Sequence, residues 1–221
     1  MLKLFIGNKA YSSWSLRGWL AVKQSGLPFE EITVPMFGEE WDRSQEGNEF
    51  APSGGKVPIL WDEETVIWDS LAIVEYLAEK TDRARFWPDD DGARGMARSM
   101  AAEMHSSYAN LRRECPMNVR KVFEPRELSE DTIEEIKRIL ELWAQARAVH
   151  GSGGPYLFGT FGAADIMFAP VVTRFVTHSI GVPNFAQAYV GAILNHPWLM
   201  EWVTAAQEEP WVVENFEQPA A

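Results

Sequence analysis

The chain has 221 residues, 46% of them hydrophobic and 24% charged, and a formal net charge of −12. That mixture is globular; the acidic balance argues against nucleic-acid binding, which needs a basic face, and no apolar run approaches the ~18 residues of a spanning helix, so no membrane segment is expected. The single cysteine, Cys115, cannot close an internal disulfide, and the N-terminus MLKLFIGNKAYSS lacks an apolar signal core, so a reducing, cytoplasmic setting is expected.

Leu2, Leu4 and Ile6 alternate with Lys3 and Phe5, which predicts a short strand. A polar loop follows, and from Trp14 to Gln24 the residues Leu16, Trp19, Leu20 and Val22 fall at helical spacing until Gly26 and Pro28 stop them. Phe29, Ile32 and Val34 predict a second strand. The segment from Pro35 to Gly55 is punctuated by Gly and Pro and reads as irregular or weakly helical. Val57 to Leu60 and Thr65 to Trp68, joined across Glu63 and Glu64, predict a hairpin. Leu71, Ile73, Val74, Tyr76 and Leu77 then open a helix. The order β-α-β then β-β-α is that of a thioredoxin-like domain, placed at 1–81.

Residues 82–92, with Trp87-Pro88-Asp89-Asp90-Asp91-Gly92, read as a linker. Beyond it the strand patterns vanish. Ala93 to Arg113, Glu130 to His150, Gly162 to Ser179 and Pro197 to Gln207 all predict helices, so 93–221 is expected to be an all-α domain. The four histidines, His105, His150, His178 and His196, are scattered without ligand spacing, and no metal site is expected.

In a thioredoxin-like domain the corner between the first strand and first helix favours an anion, through unpaired N–H groups and the helix dipole. Dithiol oxidoreductases place Cys-x-x-Cys there, where the dipole lowers a thiol pKa. This chain has Ser12-Ser13-Trp14-Ser15 and no cysteine in the first domain, which excludes dithiol chemistry at the corner. The hydroxyls suit a thiolate supplied by another molecule. They would serve equally as plain N-caps.

Tyr11-Ser12-Ser13-Trp14-Ser15-Leu16-Arg17 resembles the active-site segment of serine-type cytosolic glutathione S-transferases, in particular the zeta class and its bacterial relatives. Gly55-Lys56-Val57-Pro58-Ile59-Leu60 is similar to the family's loop before the third strand, whose proline is cis. Asp69-Ser70-Leu71-Ala72-Ile73 resembles the pair that opens the third helix. Gly162-Ala163-Ala164-Asp165-Ile166 resembles the family's helix-capping segment, with Gly162 in place of the usual Ser or Thr.

The resemblance implies glutathione as co-substrate, a small hydrophobic electrophile as partner and a homodimer. It implies that Ser12 is catalytic, its hydroxyl donating to the glutathione sulfur; a donor to the charged form lowers a thiol pKa, and a shift of about two units is worth ~2.7 kcal/mol. Ser13 is the rival donor. Val57, before Pro58, would pair with the cysteinyl backbone. Ser70 would hold the γ-glutamyl carboxylate, Asp69 the ammonium, and Lys56 the glycyl carboxylate. The electrophile pocket is assigned to Tyr11, Trp14, Arg112 and Arg113, although the two arginines would also suit a helix C-terminus. Conjugation is the first reading. A maleylacetoacetate-type isomerase is an alternative, but Trp14 stands where that class usually has cysteine. A non-catalytic binding module on the same fold is another.

Overall fold

Leu2, Leu4 and Ile6 are buried on one side of the first strand and Phe5 on the other, so both faces of the sheet are covered. The structure, a computed structural model, describes residues 1–45, 47 and 49–217. Strands β1 (Leu2–Ile6), β2 (Phe29–Thr33), β3 (Ile59–Asp62) and β4 (Thr65–Trp68) form a sheet in the order β2-β1-β3-β4. The β1–β2 pair is parallel and the others antiparallel. β3 begins only after Pro58, two residues later than Val57, because a proline has no N–H to offer a ladder.

Helices α1 (Ser13–Ser25) and α3 (Ser70–Lys80) pack on the Leu4 face; the short α2 (Glu39–Gln45) lies in the segment read as irregular or weakly helical. Gly18 lets α1 close on Pro58, since a Cβ there would stand 2.7 Å from the proline ring. This βαβ-ββα layer is the expected thioredoxin-like arrangement, and the region that follows it is helical.

The second region contains α4 (Asp91–Ser106), α5 (Ala109–Glu114), α6 (Glu130–His150), α7 (Ala163–Thr177), α8 (Asn184–Leu194) and α9 (Pro197–Glu208). The single helix expected over Ala93 to Arg113 is in fact two. Tyr108 breaks it with a left-handed backbone (φ 63°), its hydroxyl donating to Glu103 at 2.6 Å. α8 was absent from the sequence reading; its buried residues Ala186, Tyr189 and Ile193 mark one helical face. α7 starts at Gly162, which has no side chain to cap with. Asp165 instead accepts the N–H groups of Gly162 and Leu157 at 3.0 and 3.1 Å.

The apolar cluster under the sheet is continuous with that of the helical region: Leu16, Leu20 and Ile73 belong to the same cluster as Trp143, Ile166 and Phe168. Among the described residues, no helix is long and apolar enough to cross a membrane.

Candidate active site

The loop after β1 is braced before it reaches α1. The buried Asn8 accepts Ser12 N–H on its carbonyl at 2.9 Å and Met36 N–H on its side-chain oxygen at 2.8 Å. Ser12 is thereby fixed as the N-cap of α1, its Oγ accepting the Ser15 N–H at 3.3 Å. Ser12 Oγ also lies 2.7 Å from Ser15 Oγ, which accepts the Gly7 N–H at 2.9 Å. Ser15 Oγ thus accepts from both the Gly7 N–H and the Ser12 hydroxyl, all three groups being buried. Reversal of one hydroxyl rotor lets Ser15 donate to Ser12 and frees the Ser12 proton for an outside acceptor.

Ser12 opens on a cleft of about 640 Å³, within the usual range of small-molecule sites. Trp14 joins it on the same wall. Lys56, Val57 and Pro58 come from the loop before β3, and Asp69 and Ser70 from the start of α3. The Val57–Pro58 peptide is cis. Among the described residues, none pairs with the N–H or C=O of Val57, which leaves backbone groups of strand type beside the cleft. Lys56 is exposed, its N–H held by Ser53 Oγ at 2.9 Å.

Asp69 is the N-cap of α3, accepting the Leu71 N–H at 2.8 Å. Its backbone is in an uncommon conformation (φ 77°, ψ 133°). Such strain costs about 1–3 kcal/mol and clusters at ligand sites. Ser70 is fully buried, and its Oγ has no partner among the described residues. Buried hydroxyls are normally paired, so this one is poised for a ligand. His105, from α4, lies with Nε2 3.3 Å from Asp69 Oδ2 and packs edge-on to Trp14 at 5.2 Å.

Four predicted residues stand outside this lining. Ser13 Oγ turns inward and accepts a hydrogen bond from buried Arg174 at 3.1 Å. Tyr11 is covered by the C-terminal segment: its hydroxyl donates to Glu217 at 2.6 Å and its ring stacks on Phe216. Burial and the Glu217 bond raise the Tyr11 pKa above its ordinary value. Arg112 sits behind Trp14, its guanidinium donating to Ser107 O and Met104 O. Arg113 faces solvent and donates to Asn110. The sequence reading missed His105, Met36, Trp41 and Ser53 at the cleft. His105 carried no local signal, since nothing in its neighbourhood relates it to residue 69.

Residues 11–80 match the family model described as glutathione S-transferase, N-terminal domain. The chain is 27% identical over 157 residues to glutathione S-transferase GstB of Escherichia coli strain K12, covering 69% of this chain and 74% of that protein. A Burkholderia glutathione transferase homolog solved with bound glutathione shares the fold, with a TM-score of 0.65 and 23% identity over 94% of this chain and 98% of that one. A bacterial zeta-class maleyl pyruvate isomerase does too, with a TM-score of 0.68 and 21% identity over 94% and 99%. The chain is thus similar to glutathione S-transferases, in sequence through the N-terminal-domain model and a relative, and in fold through the solved structures.

Proposed function

We propose that the chain binds glutathione in the Ser12–Ser70 cleft and activates its thiol for attack on a small hydrophobic electrophile. The observation that carries this reading is the convergence on one cleft of Ser12, the Val57 backbone and the Ser70 hydroxyl, the last two without a hydrogen-bond partner among the described residues. Each matches a different part of the tripeptide. Ser70, through its O–H and its own backbone N–H, would receive the γ-glutamyl carboxylate, and Asp69 the neighbouring ammonium. Val57 would pair with the cysteinyl backbone like an added strand. Lys56 would meet the glycyl carboxylate.

The sulfur then lies at Ser12. With the Ser15 hydroxyl donating to Ser12 Oγ, the Ser12 proton points to the sulfur and favours thiolate over thiol. The thiolate is the nucleophile: the carbon–sulfur bond forms and the leaving group departs with its electron pair. In this reading residues 1–81 hold glutathione, 82–92 link, and 93–221 supply the electrophile side, with His105 and Trp14 at the junction. Ser13, turned toward Arg174, is the weaker candidate for the sulfur donor.

Ser70→Ala tests the binding half. Glutathione affinity by titration calorimetry should fall about ten- to a hundredfold, the effect of a lost charge-assisted hydrogen bond, with the melting temperature unchanged. Unchanged affinity would place the carboxylate elsewhere. Assays with aryl halides, maleylacetone and hydroperoxides then separate conjugation, isomerisation and peroxide reduction. Binding without turnover on any of them would favour a binding module.

A further inference from the structure

Two guanidinium groups pack on Trp14, and a third lies beside Ser13. Arg17, one turn into α1, is fully buried; its Nε donates to Met167 O at 3.0 Å, and both terminal nitrogens lack a partner among the described residues. Its guanidinium carbon lies 4.8 Å from the centre of the Trp14 ring, and that of Arg112 lies 4.9 Å from it. Arg174, 5% exposed, donates to Ser13 Oγ, the neighbour of Ser12.

Among the described residues no carboxylate forms an ion pair with any of the three. Asp69 acts on Arg17, and Glu135 on Arg112, only through space. Burial and the two neighbouring guanidiniums hold Arg17 well below its ordinary pKa, and burial with Arg112 brings Arg174 down to about 9. All three still carry charge at neutral pH.

A buried charge without a counter-ion is costly, and an apolar side chain of the same volume is often at least as stable. The guanidiniums do hold backbone carbonyls, Arg17 that of Met167, Arg112 those of Ser107 and Met104, and Arg174 those of Cys115 and Pro170, but these bonds leave their charge without a counter-ion. The position of the three groups is more informative. The first turn of α1 contains no acidic residue, so its N–H groups and the guanidiniums add fields of one sign around Ser12. Arg17 and Arg174 are buried and Arg112 is half-buried, so their field is poorly screened by salt.

We propose that Arg17, Arg112 and Arg174 are positioning residues whose uncompensated charge, beside Trp14 and Ser13, stabilises an anionic sulfur at Ser12, adding to the hydroxyl in favouring thiolate over thiol. The inference rests on the reading of the cleft as a glutathione site.

Arg17→Met keeps the volume and removes the charge. The thiol of bound glutathione, titrated by thiolate absorbance, should ionise about one pH unit higher than in the unsubstituted protein. The affinity for S-methylglutathione, which has no ionisable sulfur, should be unchanged, and the melting temperature of the ligand-free protein should not fall. Arg112→Met should shift the thiol in the same direction, while Arg112→Lys, which keeps the charge, should not. Should Arg17→Met fail to fold, the Arg112 pair decides. S-methylglutathione bound normally with the thiol pKa unmoved in the folded Met variants overturns this inference and leaves the site reading intact. No binding of S-methylglutathione to the unsubstituted protein overturns both.

Discussion

Ser12→Ala is expected to lower turnover up to about a hundredfold at neutral pH, while glutathione affinity changes by only a few-fold. The contrast follows from where the contacts lie. The tripeptide is proposed to be held by Val57, Asp69 and Ser70, none of which depends on the Ser12 side chain, whereas the sulfur meets that hydroxyl. Loss of a donor to the charged form should raise the bound thiol pKa by about two units, and the thiolate fraction near pH 7 then falls by up to ~10². The helix should survive, because an N-cap replacement costs only ~1 kcal/mol. The measurement is kcat beside the titration of thiolate absorbance.

Two companion variants sharpen the result. Ser15→Ala removes the hydroxyl that the Ser12 oxygen pairs with at 2.7 Å and should give a smaller shift in the same direction. Ser13→Ala should leave the thiol pKa almost unmoved, because its hydroxyl faces Arg174. A larger shift from Ser13 than from Ser12 would move the donor by one residue. No shift from either would leave backbone N–H groups and the buried arginines as the source of ionisation.

Asp165→Ala is expected to cost about 3 kcal/mol of stability at pH 6, since it orphans the N–H groups of Leu157 and Gly162. For a chain of this length that lowers the melting temperature by roughly 6–12 °C. Glutathione affinity in the surviving folded protein should be unaffected, as Asp165 does not line the cleft. A melting temperature within a degree or two of the unsubstituted protein would show that the loop before α7 finds other partners.

Asp165 also sets a pH dependence. Burial raises its pKa from the ordinary 3.8 to about 7, against the opposing pull of its backbone hydrogen bonds. The unfolded chain therefore releases this proton first as pH rises. The group's contribution is most favourable below pH ~4, declines through the interval up to about 7 and is flat above it. The decline is on the order of 4 kcal/mol, from about three units of difference. Asp165→Asn, which cannot ionise, should lack this decline. Denaturant midpoints of the two proteins compared at pH 5 and pH 8 measure it; parallel pH profiles would mean that Asp165 is ionised throughout.

Local patterns were legible in the chain. Alternation in Leu2, Leu4 and Ile6 marked β1, and the helix expected over Glu130 to His150 is α6. The three segments that meet at the cleft, around Ser12, Val57-Pro58 and Asp69-Ser70, could each be read from a few consecutive residues. Caps, turns and strand periods are short-range, so sequence suffices for them.

Other features required the assembled fold. Ser12 and Ser13 are alike in the sequence, but Ser12 is the extended N-cap and Ser13 the first helical residue of α1, so one opens on the cleft and the other on Arg174. Arg112 and Arg113 are separated in the same way: Trp14, nearly a hundred residues earlier, draws the first inward, and the second is left in solvent. The break at Tyr108 is decided by a hydroxyl that reaches back to Glu103. His105 enters the site only because α4 packs beside α3, and Tyr11 leaves it only because Glu217 and Phe216 return to cover it. Sequence by itself determined the four strands and most of the helices, α8 and the break at Tyr108 excepted. Tertiary structure decided which side chains face the cleft, because that depends on helix rotation and on contacts between residues far apart in the chain.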